Sequence, residues 1–87
     1  MQSEIINRIG LFTKNLGLNE NTIGGLRKEF PDIHFTYCYD DDIMDSMPLQ
    51  EFDDFNLYLV DGNEHCLKFT SNIDAATGVV IAEVVTE

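Results

Sequence analysis

An 87-residue chain with 44% hydrophobic residues has enough apolar side chains for one core and too few for two, so residues 1–87 are read as a single domain. Sixteen acids against five bases give a formal net charge of −11, and from Glu29 through Glu64 eleven acids follow one another without a Lys or Arg. A surface of that sign repels phosphate backbones and anionic lipids, which argues against nucleic-acid and membrane roles and points to a protein partner with a basic or mixed basic and apolar surface.

Apolar residues at Ile5, Ile6, Ile9, Phe12 and Leu16 line one helical face, with Ser3 as N-cap and Gly17 just past the end; the spacing predicts a helix over 4–16. Asn19 or Asn21 can cap a second helix carrying Ile23, Leu26 and Phe30, which Pro31 stops. Gly24 and Gly25 fall inside that helix, where each costs about 1 kcal/mol relative to Ala, so close approach to another backbone is expected there.

After Pro31 the period changes from 3.6 to 2. Ile33, Phe35, Tyr37 and Tyr39 fall on one face of a strand expected to be buried, and His34, Thr36 and Cys38 on the other. Asp40 to Asp54 form a long connection holding seven acids and the apolar residues Ile43, Met44, Met47, Leu49 and Phe52; connections of this length are commonly functional or mobile. Phe55, Leu57 and Leu59 alternate, as do His65, Leu67 and Phe69, on either side of Asp61-Gly62-Asn63-Glu64, a hairpin signal. Bringing both apolar sets to one face requires an odd-numbered turn with a bulge. A turn over Asn72–Thr77 and Gly78 leads to a last strand over about Val79–Val85. The fold class expected is α+β, with two N-terminal helices packed on an antiparallel sheet of about four strands.

Three groups of residues could carry chemistry. Asp40, Asp42 and Glu51 have the 1, 3, 12 spacing of an EF-hand loop, but Met44 occupies a ligand position and Asp45 stands where the sharp turn needs Gly. His34, Cys38, His65 and Cys66 are the ligands a transition metal would choose, yet there is no C-x-x-C, and adjacent strand residues such as His65 and Cys66 point to opposite faces. Asp40, Asp41, Asp42, Met44, Asp45, Met47 and Phe52 mix carboxylates with flexible apolar side chains, as a docking loop for a basic and partly apolar protein surface would. No motif asks for a cofactor, and nothing buries one carboxylate of a pair or sets a thiol beside a histidine, so a non-enzymatic module is expected. Its partner is another protein or a second copy in a homodimer. The alternative is a metal- or small-ligand-binding accessory protein. Met1-Gln2-Ser3-Glu4 lacks a basic export signal, and no apolar run approaches the ~20 residues that span a bilayer. A cytoplasmic chain with reduced thiols is therefore expected.

The run Phe30-Pro31-Asp32-Ile33-His34-Phe35-Thr36-Tyr37-Cys38-Tyr39-Asp40-Asp41-Asp42 carries a resemblance, together with Phe55-Asn56-Leu57-Tyr58-Leu59-Val60-Asp61, His65-Cys66-Leu67, and Ala75-Ala76-Thr77-Gly78 through Ala82-Glu83-Val84. The chain resembles a family of small uncharacterised bacterial proteins, some of them associated with nitrogen-fixation gene neighbourhoods. The resemblance implies an accessory cytoplasmic role near metalloenzyme assembly or electron supply, and supplies no catalytic residues.

Overall fold

Ile6, Ile9 and Thr13 fall on one stripe of the first helix, α1 (Ser3–Leu16), and are buried along it. The helix starts one residue earlier than its sequence signals indicate: Gln2 is the N-cap and makes no side-chain bond, and Ser3 is already helical. Gly17 closes it at φ 80°, a left-handed conformation that glycine adopts without a Cβ clash. The Asn19 Oδ1 accepts from the Thr22 amide at 2.9 Å and so starts α2 (Glu20–Glu29). Ile23 and Leu26 turn inward from α2, and the chain leaves it at Phe30-Pro31.

The computed structural model describes residues 1–43, 47–62 and 68–85. After the helices come β1 (His34–Tyr39), a 3-10 turn over Asp40–Asp42, β2 (Gln50–Glu51), β3 (Phe55–Asp61), β4 (Lys68–Thr70) and β5 (Gly78–Glu83). The expected long connection thus contains a helical turn and a short strand. Among the described residues the strands form one five-stranded sheet in the order β1-β5-β3-β2, with β4 also pairing β3.

The sheet is mixed, not antiparallel: β5 runs parallel to β1 and antiparallel to β3. The physical reason lies in side chains. β5 is apolar on both faces, through Val79 and Ile81 on one and Val80 and Ala82 on the other, so it is buried most completely between two neighbours. β1 has polar His34 and Thr36 on one face and takes the edge.

The hairpin register differs from the expected one as well. Val60 lies opposite Phe69 and Asp61 opposite Lys68, an even-numbered connection that sets Phe69 on the face opposite Leu57 and Leu59. β3 is apolar on that face too, through Tyr58 and Val60, so Phe69 has an apolar neighbour there, the Tyr58 ring at 5.6 Å.

The helices cover one sheet face. Ile6, Ile9, Ile23 and Leu26 meet Phe35, Phe55, Leu57, Leu59, Val79 and Ile81 in the main core. Tyr58, Val60, Val80 and Ala82 form a second cluster on the other face, with Cys38 and Ile43 against it. The two central glycines of α2 behave differently from expectation: a Cβ on Gly25 would meet the Phe12 ring at 3.1 Å, a side chain and not a backbone, and one on Gly24 would meet nothing within 4 Å.

Candidate functional site

The topology gathers carboxylates that are far apart in the chain. β1 and β5 end together at Tyr39 opposite Glu83, and β3 begins there, with Phe55 opposite Glu83 and the Val84 amide donating to the Asp54 carbonyl at 2.9 Å. Glu51 of β2 pairs with Asn56 beside them. Asp40, Asp41, Asp42, Glu51, Asp53, Asp54 and Glu83 therefore share one end of the sheet. Lys14, in the last turn of α1, borders it across a hollow of about 390 Å³ that Glu51, Asp53 and Asp54 also line. Other bases stand elsewhere: Arg8 pairs with Glu29 at 3.8 Å on the exposed helix surface, and Lys68 lies opposite Asp61 toward the other end of β3.

The three consecutive aspartates are not equivalent. The Asp40 carboxylate turns back across the sheet, where Oδ1 accepts from the Tyr58 hydroxyl at 2.7 Å and from Asn56 Nδ2 at 3.0 Å. Asp41 and Asp42 are exposed. Burial, together with the bond to Asp40, pushes the Tyr58 phenol up to about 12. Asp40 thus ties the end of β1 to β3, and Asp41 and Asp42 face solvent.

The other residues expected to dock divide in the same way. Met47 is 91% exposed. Phe52 is half-buried on the helix side, stacked on Phe55 at 4.5 Å, and its ring would lie 2.6 Å from a Cβ placed on Gly10 of α1. Its ring is thus packed against the helix–sheet core, which the docking expectation did not foresee. Met44 and Asp45 lie outside the described residues.

Sequence periodicity missed Tyr37 and Tyr39 by assigning them to a buried face. They share the face of buried Phe35, but are 41% and 49% exposed. For Tyr37 the reason is a cavity of about 560 Å³ between it and α2, lined also by Leu18, Asn19, Glu20, Ile23 and Arg27; Tyr39 lies beyond that cavity at the strand end. The Tyr37 hydroxyl donates to Glu83 Oε1 at 2.9 Å, and the two tyrosine rings meet edge to face at 6.1 Å. Desolvation and then the Glu83 bond push the Tyr37 phenol up to about 12. Glu83 itself was missed because its place beside Tyr39 depends on strand order, which periodicity does not encode.

Of the four soft ligands the described residues include two, and these are not brought together. His34 and Cys38 lie on one face of β1, four residues and roughly 13 Å apart at about 3.3 Å per residue, too far for two ligands each about 2 Å from one ion. Burial, and then the Asp42 and Asp40 carboxylates, push the Cys38 thiol above its ordinary range, which disfavours the thiolate that metals and electrophiles require. His65 and Cys66 lie outside the described residues. Among the described residues no three His, Cys, Asp or Glu side chains converge as a metal site.

A family model described as a family of unknown function, DUF6129, matches residues 7–84. The chain belongs to that family. The DUF6129 match runs from within α1 to just past β5, and so contains every carboxylate of the acidic sheet end. No curated protein and no solved structure matches the chain. No helix among the described residues is long and apolar enough to cross a membrane.

Proposed function

We propose that this chain is a non-enzymatic accessory module that docks a basic or mixed basic and apolar protein surface through its acidic sheet end. The observation that carries the proposal is the convergence of Asp41, Asp42, Asp53, Asp54 and Glu83 from three separate strand ends beside exposed Tyr39. Single-sign charge of this density raises the encounter rate with an oppositely charged surface, and neighbouring aromatic area gives that encounter something to hold. The family resemblance in the sequence favours a bacterial cytoplasmic setting, in nitrogen fixation, near metalloenzyme assembly or electron supply. A metal- or small-ligand-binding role is the weaker alternative, given the separation of His34 from Cys38 and the raised Cys38 thiol.

The test uses Asp41→Asn with Asp42→Asn and leaves Asp40 alone, because Asp40 holds the fold. The wild-type protein should capture a partner from host lysate at low salt and release it at high salt. The double variant should lose that partner with an unchanged circular dichroism spectrum. Equal capture by both proteins would refute the docking role.

A further inference from the structure

Among the described residues β1 gives only one of its two edges to the sheet. Its pairing with β5 is parallel, and the His34 amide donates to the Thr77 carbonyl at 3.2 Å, so the backbone groups of His34, Thr36 and Cys38 point inward. Those of Phe35, Tyr37 and Tyr39 then point away from the sheet, since successive residues of a strand alternate sides. Arg27 Nη2 donates to the Phe35 carbonyl at 3.2 Å from outside, in keeping with that direction, and covers the amino-terminal half of the edge. The Tyr39 carbonyl is taken by the 3-10 turn that it caps, which leaves the Tyr39 amide and both backbone groups of Tyr37 without a bond from the described residues. The six residues of β1 include no Lys, Glu, Asp or Pro, the residues that commonly blunt a free edge.

Beside this uncovered half lies the cavity between β1 and α2, with Leu18 and Ile23 on its wall and Tyr37 at its margin. A free strand edge alongside a groove walled by a helix is the arrangement in which an extended peptide can add as a further strand: the edge supplies backbone bonds and the groove takes alternate side chains. Charge selects the occupant at the strand end: Glu20 and Arg27 border the groove with opposite signs, whereas Asp41, Asp42 and Glu83 cluster where β1 ends. A second copy fits poorly. Antiparallel pairing of two β1 strands about Tyr37, which sets outward groups against outward groups, would bring Asp42 opposite Asp32 of the other copy and would join two chains of net charge −11.

The geometry points to the outer edge of β1 as a strand-addition site for an extended, basic segment of another protein. The segment pairs its backbone with both groups of Tyr37 and with the Tyr39 amide, sets apolar side chains against Leu18 and Ile23, and places Lys or Arg beside Asp41 and Asp42. This rests on the docking role proposed above and specifies how the partner is held.

Panning a displayed random-peptide library on the intact protein tests it. Enriched peptides should alternate apolar and polar residues, carry Lys or Arg toward one end, and slow hydrogen exchange at the Tyr37 and Tyr39 amides. N-methylating one alternate set of peptide amides should weaken binding about tenfold or more, and methylating the other set should not. That comparison leaves the protein untouched and cannot act through misfolding. Basic peptides that weaken with Asp41→Asn and Asp42→Asn but ignore methylation of either set would overturn the strand-addition site and leave acidic docking standing. Methylation-sensitive peptides with no basic preference and no response to those substitutions would overturn the basic occupant and the acidic docking role together. A library that enriches nothing, or a free protein already dimeric with both amides protected, would also overturn the site.

Discussion

Asp40 is the one member of the aspartate triplet that bonds two side chains across the sheet, so its replacement separates fold from function. Asp40→Ala should destabilise the protein by about 1.5–3 kcal/mol, the range for hydrogen bonds to a charged group, whereas Asp41→Asn and Asp42→Asn should leave stability unchanged or slightly raised. Urea unfolding followed by circular dichroism reads the difference. Its partner Tyr58 gives a pH signature. Because the folded phenol is raised from 10.0 to about 12, the neutral form is favoured by folding, and this contribution is complete below pH 10 and lost as pH rises toward 12. The alkaline fall in stability across that window should be shallower in Tyr58→Phe, whose neutral stability should itself be lower for want of the Asp40 bond. Cys38, raised by burial and by Asp42 and Asp40, should react with iodoacetamide at mildly alkaline pH more slowly than the same thiol in the unfolded chain. A Cys66→Ser background isolates that measurement.

At the level of elements, two glycines give opposite expectations. Gly24 is exposed in α2 with open space where a Cβ would go, so Gly24→Ala should stabilise by about 1 kcal/mol through helix propensity alone. Gly78 begins β5, and a Cβ there would lie 2.8 Å from the His34 carbonyl oxygen and 3.0 Å from a Val60 methyl. Gly78→Ala must therefore push β1 and β3 apart, at a cost of about 1–3 kcal/mol. Thermal melts of the two variants should move in opposite directions. The second result bears on the proposed docking role, because a Cβ at Gly78 presses on β1, and β1 carries Tyr37, Tyr39, Cys38 and the approach to Asp40.

For the whole molecule, the charge of −11 acts on folding as well as on partner choice. Carboxylates drawn to one sheet end repel one another more in the folded state than along an extended chain. Added monovalent salt should therefore raise the melting temperature of the free protein while weakening the docked complex, since screening relieves repulsion and attraction alike. The opposite sign of the two effects distinguishes a functional acidic end from a surface that is merely solvated: a partner whose capture does not depend on salt would not be held by these carboxylates.

The existence of both helices, the left-handed Gly17, the stop at Pro31 and the alternation of β1, β3 and β5 were legible in the chain because each depends on neighbours within a turn or two. The clustering of acids between Glu29 and Glu64 was legible for the same reason. Strand order was not: a period of 2 reads alike in an edge strand and a central one, beside a parallel neighbour or an antiparallel one. Only tertiary pairing set β5 between β1 and β3, and with it carried Glu83 to Tyr39 and Asp54 to Val84. Only packing decided that Asp40 holds Tyr58 while Asp41 and Asp42 face solvent, and that Tyr37 emerges at a cavity beside α2 and Tyr39 beyond it at the strand end. These outcomes depend on contacts between residues far apart in sequence, whose energies no local pattern records.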